Sequence, residues 1–494
     1  MRRFVHRTLY VALGLSFLGL IHCSSNGSTG SPIDPTMKAS LELPGKTIFS
    51  FGSVAIQTSS EKTVTIANAG KFSAAHIHVG SSALTEPFSF KGGSFPGTGG
   101  TCTDDSELAP GTSCTAVIVF SPPIEGGFST HLAVAYNNGS MDWESEFELE
   151  GTGAKPCNKE SWPFGEGLGT ASEPYAICSI EHLRNVHLYL TSQFVLMTDL
   201  NLLDEPFSPI GPNSTDSFRG VFDGNGYTIS NFRFVTTGAT AENYAGFFGY
   251  VSGGTLKNIG LRDLTVEGAS QVGGLAGLVR DSSVISDAYA TGSVKGNGNE
   301  VGGLVGNLDS SSITRSHALV TVTSGSASTY VGGLVGNMTG SSSIARSYTI
   351  GSATGYDVVG GFVGYMTCAT AGGGCVISDS FAAASSTATR PSPPPSVGGF
   401  VGSVSAGSSA MFQRSYAGGA VSVSTWAGGF GAYSPGALVS TTDCFFDRDA
   451  AGIAHDNVGA TAKYLAAMIT QITFEHFDFT NVWLMPSGRY PELR

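Results

Sequence analysis

The charged side chains best placed to do chemistry recur at one point of a repeated phrase. ISDAY at Ile285, ITRSH at Ile313, IARSY at Ile344, ISDSF at Ile377, FQRSY at Phe412 and TTDCF at Thr441 set Asp287, Arg315, Arg346, Asp379, Arg414 and Asp443 in one column. Glycoside hydrolysis needs two carboxyl groups roughly 5 to 9.5 Å apart. Polysaccharide lyases need clustered acids, commonly with a calcium ion, plus a base. If each phrase occupies one coil of a stack spaced at about 4.8 Å, Asp379 and Asp443 stand about 9.6 Å apart with Arg414 between them. No two acids fall on adjacent coils. The column reads as charge compensation along an exposed seam, in which Asp379 lies near both Arg346 and Arg414.

Other reactive types are sparse. His76 and His78 alternate along a strand and so face one side, about 6.7 Å apart. Two imidazoles at that spacing can hold a metal, yet no third ligand is near, and a solvated strand face is the simpler reading. No metal or cofactor is expected. Seven cysteines follow Cys23: Cys102 with Cys114, Cys157 with Cys178 and Cys368 with Cys375 form local candidate disulfides, in keeping with an exported protein. Cys444 stands where the other phrases carry Ala288, Ser316, Ser347, Ser380 and Ser415, and is read as a small interior residue. Next in line is an aromatic column of Tyr289, His317, Tyr348, Phe381, Tyr416 and Phe445. It forms either an intercoil stack or, if the rings face outward, a platform for carbohydrate or peptide.

The elements that must position these residues repeat. AGFFG at Ala245 recurs as VGGLAG at Val272, VGGLVG at Val301 and Val331, VGGFVG at Val359 and Val397, and AGGFG at Ala427. A period near 29 residues in seven copies marks a solenoid, whose units bury their apolar faces only by stacking. Each unit is expected to hold two short strands rich in Val, Ala, Gly and Ser. Seven copies with no following helix also exclude a dinucleotide loop, which occurs once and opens a helix.

These phrases resemble the GLUG-motif repeats of bacterial surface and adhesin-like proteins, and the resemblance covers roughly residues 162–494. It implies a right-handed parallel β-helix with no shared catalytic residue. Before the repeats, residues 40–153 carry alternating strands such as TVTIAN at Thr63 and CTAVIVF at Cys114. Their phrases, FGSVAIQTSSEKTVTIANAG, LAPGTSCTAVIVFSPPIEGG and LEGTG, resemble Ig-like modules related to the ASPM/SPD-2/Hydin domain. The fold expected is therefore all-β: an Ig-like β-sandwich followed by a β-helix at 157–494. Residues 157–234 are read as its N-terminal cap and 461–494 as its C-terminal cap. Ser179 is placed as the N-cap of a short helix.

The start of the chain carries Arg2, Arg3, His6 and Arg7, then an apolar stretch from Leu9 to Ile21 too short to span a membrane comfortably. LIHCS at Leu20 resembles a lipoprotein processing site, which makes 1–23 a signal, Cys23 the acylated residue and 24–39 a polar tether. His22 departs from the usual small residue there. The expected location is the outer membrane, lipid-anchored at the cell surface, with Ser24 rather than Asp favouring release to that membrane.

One repeat departs from the others. Between Val359 and Val397 it holds TCATAGGGC, with Thr367, Cys368 and Cys375, and the proline-stiffened TATRPSPPPS, with Arg390, Pro391, Pro393, Pro394 and Pro395. Insertions in solenoids leave on one face and often bind, so these are the candidate binding loops. A net charge of −13 argues against nucleic acid as a partner. The function expected is adhesion or recognition of a glycan or a neighbouring cell's surface protein, without catalysis, by a monomer. The alternatives are a carbohydrate-active β-helix enzyme and a structural envelope component.

Overall fold

The computed structural model describes residues 38–43, 48–81, 84–154, 157–236, 243–325, 330–370, 373–422, 424–432 and 434–494. Cys23, the signal and the tether up to residue 37 lie outside them. Among the described residues no helix is long and apolar enough to cross a membrane.

The sandwich packs two sheets. One orders Leu41–Glu42, Ser60–Asn68, Ser113–Phe120 and Phe88–Phe90. The other orders Ile48–Ala55, Asp142–Ala154, Gly126–Asn137, Ala74–Val79 and Ser106–Leu108. Alternation gives each strand an inward face, and Val64, Ile66, Ile118, Phe120, Leu132 and Leu149 are wholly buried between the sheets. The Cys102–Cys114 disulfide ties this core. His76 lies at a bulge with a left-handed backbone, φ 56°, which breaks the alternation expected to align it with His78. His76 Nδ1 instead bonds Asp105 Oδ1 at 2.6 Å, and His78 Nδ1 bonds the His76 carbonyl at 2.7 Å.

From Tyr175 the chain winds as a parallel β-solenoid. A typical coil runs Val301–Gly302, Val305–Asp309, Ser312–Thr314 and His317–Ser324, each pairing in register with the coils before and after. We number these strands as faces one to four. Four strands replace the two expected, because Gly-Gly bends the first phrase and a left-handed residue bends the second. Face three alone stacks ten strands, from Tyr175–Ile177 to Leu438–Thr442, about 43 Å of rod at 4.8 Å a step.

The three glycines of VGGLVG follow from this closeness. A Cβ on Gly302, Gly303 or Gly306 would stand 2.0, 2.1 or 2.5 Å from backbone of Val305, Gly333 or Gln271. Inward, Val301, Leu304, Val305, Leu308 and Ile313 are fully buried and supply the core. Two corners are lined by serines. Between faces three and four, Ser316, Ser347, Ser380 and Ser415 each donate to the carbonyl two residues back, at 2.7–2.9 Å. The first three hydroxyls accept, at 3.1–3.2 Å, the backbone N–H of Ala288, Ser316 and Ser347, and Ser415 accepts that of Ser380. The buried N–H groups of Ala288, Ser316, Ser347 and Ser380 are thereby paired at this bend.

Residues 157–234 do more than cover the entrance. Tyr175–Ile177, Gln193–Leu196 and Val221–Asp223 are the first three rungs of face three. They use Phe194, Phe218 and Phe222 as core in place of the glycine phrase, so the period does not show there. Ser179 caps the helix Ile180–Asn185, accepting the His182 N–H, and Cys157–Cys178 closes the entry. Tyr227 donates its hydroxyl to the Ser53 carbonyl, joining entry and sandwich. At the far end Asp456 accepts the N–H groups of Phe430, Gly431, Val458 and Ala460, at 2.7–3.1 Å.

Candidate functional site

The corner between faces three and four carries the charged column. Asp287, Arg315, Arg346, Asp379, Arg414 and Asp443 all have left-handed backbones, φ 43–53°. Such a corner suits Asp and costs an arginine about 1 kcal/mol or more. The side chains point along the seam and pair between rungs. Arg315 grips Asp287 with Nε and Nη2 at 2.6 and 2.7 Å, and Arg414 grips Asp379 likewise at 2.7 Å twice. Arg346 stands one rung from Asp379, as expected, but makes no ion pair with it. Both Asp379 oxygens are already taken by Arg414, and the charge whose influence Arg346 shares is Asp478 in the C-terminal segment. Asp443 holds His476 at 2.8 Å, and that bond raises the imidazole's pKa. The two acids considered for hydrolysis are thus each engaged, Asp379 by the Arg414 guanidinium and Asp443 by the His476 imidazole.

Beside the seam, the aromatic column lies on the outward side of face four, while Ala290, Ala318, Thr349, Ala382 and Ala417 fill the inward side. Its rings are parallel. Centroids of Tyr289, His317, Tyr348, Phe381 and Tyr416 succeed one another at 5.2, 4.5, 4.9 and 5.1 Å, tilted by 2–8°. From Tyr289 to Tyr416 each ring covers the face of the next, and Tyr289 lies against Gly260, where a Cβ would meet its ring at 2.6 Å; Phe445 leaves the stack and meets Phe474 edge-on at 5.3 Å. Only ring edges reach outward, so a sugar has no open ring face to stack on.

The C-terminal segment folds back over this column. Trp483, Phe474, Phe477, Met468 and Val482 pack with Phe381 and Tyr416. The Tyr416 hydroxyl donates to the Pro491 carbonyl at 2.6 Å. Between the column and the cap runs an open groove of about 470 Å³ lined by Tyr348, Ile350, Ala383, Leu465, Ile469, Tyr490 and Leu493. Arg489 and Glu492, paired at 3.2 Å, stand on its rim. Ile350 and Leu465 leave 44% and 46% of their surface exposed. None of the groove residues outside the aromatic column was marked by the sequence pattern, since Leu465 and Leu493 lie in a segment without period.

The two insertions do not form one patch. Cys368 and Cys375 bond and lie in the core, 6% and 0% exposed, closing the corner between faces two and three; Thr367 beside them is exposed. The disulfide seals the coil at the corner where neighbouring coils carry Ser283, Ser311, Ser342 and Ser408, whose hydroxyls accept the N–H groups of Gly254, Ser283, Ser311 and Cys368. The proline loop leaves at another corner, between faces four and one. There Arg390 bonds Asp357 at 2.7 Å and donates to the carbonyls of Pro393 and Pro394 at 2.8 and 3.1 Å. Pro391 and Pro393 are exposed and Pro395 is buried.

Cys444 is buried at the last serine position, its thiol pushed up to about 12 by burial, and donates to the Thr442 carbonyl at 3.4 Å. Among the described residues, the cluster spaced for a metal is Cys157, Cys178 and His182. Its sulfurs are joined, and His182 Nε2 faces the Ser161 carbonyl at 2.8 Å while Nδ1 faces the Cys178 N–H.

Fold and site together define an all-β class, a sandwich followed by a parallel β-solenoid whose cap turns back onto a stacked aromatic face. Residues 268–295 match the GLUG motif. Halomucin of Haloquadratum walsbyi is 29% identical over 209 residues, 39% of this chain and 2% of that protein. A protein of Evansella cellulosilytica named as a Gly-rich membrane protein is 39% identical over 130 residues, 24% of this chain and 15% of its own length. The chain therefore spans a small part of these relatives. A crystal structure from Bacteroides ovatus named for an immunoglobulin A1 protease is 21% identical, covering 67% of this chain and 95% of that one, with TM-score 0.49. The ASH/PapD-like domain of human CEP192 is 15% identical, covering 27% of this chain and 99% of that domain, with TM-score 0.18.

Proposed function

We propose that this chain is a lipid-anchored protein of the outer membrane that recognises protein partners at the cell surface, without catalysis, through the groove under its C-terminal cap. The observation that carries the reading is the groove itself, an apolar cleft bounded by aliphatic side chains and ring edges with one ion pair at its rim. Apolar side chains of a polypeptide gain about 25 cal/mol per Å² on entering such a cleft, while a sugar finds its stacking faces covered. A peptide or protein ligand is favoured over a glycan for that reason. The two relatives' names, a mucin and a membrane protein, sit well with display at a surface. The sandwich serves as a spacer, in line with its resemblance to ASPM/SPD-2/Hydin-type modules. The carbohydrate-active alternative is weakened because the seam acids are occupied by Arg315, Arg414 and His476.

The anchor is tested by feeding cells a palmitate analogue. Label should enter the protein and vanish in Cys23→Ala; equal labelling of both would refute the lipid anchor. The groove is tested with beads carrying the protein, offered to arrays of extracellular proteins and of glycans. Ile350→Asp with Leu465→Asp should cut protein capture at least tenfold with melting nearly unchanged, since exposed positions tolerate substitution within about 0.5 kcal/mol. Capture of glycans alone, or undiminished protein capture by the double variant, would refute the groove as the recognition site.

A further inference from the structure

We infer that the end of the sandwich farthest from the solenoid rests in the zwitterionic phospholipid surface to which the chain is tethered; this builds on the lipid anchor proposed above. Phe72, Met141 and Trp143 are 40%, 50% and 54% exposed. Single exposed apolar residues are ordinary. These three gather at one end. Phe72 lies against the hairpin tip, its Cβ 3.4 Å from where a Cβ on Gly139 would stand, and Met141 accepts the Asn138 N–H at 2.9 Å in that same turn. Trp143 pairs opposite Tyr136 on the adjoining strand.

The chain enters at this same end. Ala39 donates to the Asn138 carbonyl at 3.0 Å, and the Lys38 carbonyl accepts the Lys71 N–H at 2.9 Å. The contact with the solenoid lies at the opposite end, where Ser53, which takes the Tyr227 hydroxyl, pairs with Thr152, and Thr152 pairs with Gly127. The strand Gly126–Asn137 between the two ends has 12 residues, about 40 Å. Fifteen residues from Cys23 to Lys38 reach at most about 50 Å, which lets the tip meet the head groups.

A tryptophan, a phenylalanine and a methionine suit the boundary between head groups and acyl chains. The charges around them are mixed: Lys38 and Lys71 stand with His76, Asp105, Glu107 and Asp142. Contact driven by apolar insertion should therefore be nearly insensitive to salt and to the share of anionic lipid.

The test uses the mature chain coupled through the Cys23 thiol to a maleimide lipid in phosphatidylethanolamine/phosphatidylcholine vesicles containing brominated phosphatidylcholine. Cys444 is buried with its thiol pushed up to about 12, so Cys23 is the reactive thiol. Because the anchor is chemical, absence of acylation in cells would not affect the result. Bromolipid should quench tryptophan emission, Trp143→Phe should remove at least half of that quenching, and Phe72→Ser with Met141→Ser should reduce it at least twofold. Quenching that is absent, or undiminished in Trp143→Phe, overturns the proposal. Shielding of Trp143 only when chains crowd the vesicle would assign the tip to a second copy of the chain, and overturns it equally.

Discussion

Gly333→Ala should abolish the cooperative unfolding transition of the solenoid or lower its stability by more than about 4 kcal/mol, the range reserved for backbone clashes and core disruption. The added Cβ would stand 2.1 Å from the Gly361 carbonyl oxygen. That oxygen belongs to backbone pinned on both sides: Gly333 N–H reaches the Gly360 carbonyl at 3.2 Å, and Gly361 N–H reaches the Gly398 carbonyl at 3.1 Å. Moving the rung by the ångström needed would break its neighbours' register, because the same contact recurs at Gly303, Gly361 and Gly399. In a stack, stability is a sum of unit and interface terms, so a defect in a middle rung uncouples the halves. Gly127→Ala in the sandwich is the control, since nothing lies within 4 Å of its Cβ position. Circular dichroism melts of both variants decide the matter. A Gly333→Ala protein that melts like the wild type would show that the rungs can shift and that the glycine phrase is not a packing requirement.

The glycine phrase was legible in the sequence for this very reason: a position that excludes every Cβ can vary little from copy to copy. The rungs built around Phe194, Phe218 and Phe222 were not, because aromatic bulk fills the same space without leaving a period. The outward phase of the aromatic column was hidden by the corner residue before it. With Asp287 left-handed, Ala288 points in and Tyr289 out, and simple alternation cannot be carried through such a bend. The charged column could be read as stacked, but which neighbour each arginine takes could not. Arg414 reaches back to Asp379 and Arg315 back to Asp287, whereas Arg346 has no acid one rung behind it, only Arg315. The groove depends on a segment more than 80 residues beyond Ala383 in the chain folding back onto face four. No local pattern encodes that return; it follows from the apolar outward column needing cover at its C-terminal rungs.

The stability of the solenoid should fall as pH drops from about 6.5 to 4, and a single side chain, His317, should account for a measurable share. Its ring is stacked between Tyr289 and Tyr348, 5.2 and 4.5 Å away, and burial pushes its pKa down to about 4. In the unfolded chain the imidazole titrates near its ordinary 6.5. Between those two values the unfolded state binds the extra proton, so stability rises with pH there; it is fully present above about 6.5 and lost as pH falls toward 4. The full difference converts to about 3.4 kcal/mol. The flanking phenol faces attract an imidazolium and offset part of this, which leaves about 1–3 kcal/mol. His317→Phe keeps an aromatic rung, since Phe381 already occupies the same column two rungs on, but has no proton to bind. Urea unfolding at pH 7.5 and 4.5 should show the wild type losing about 1–2 kcal/mol more than the variant, with carboxylate contributions common to both. Equal losses would mean that His317 is protonated as readily in the folded column as in the unfolded chain, and that the stack does not exclude water from its ring.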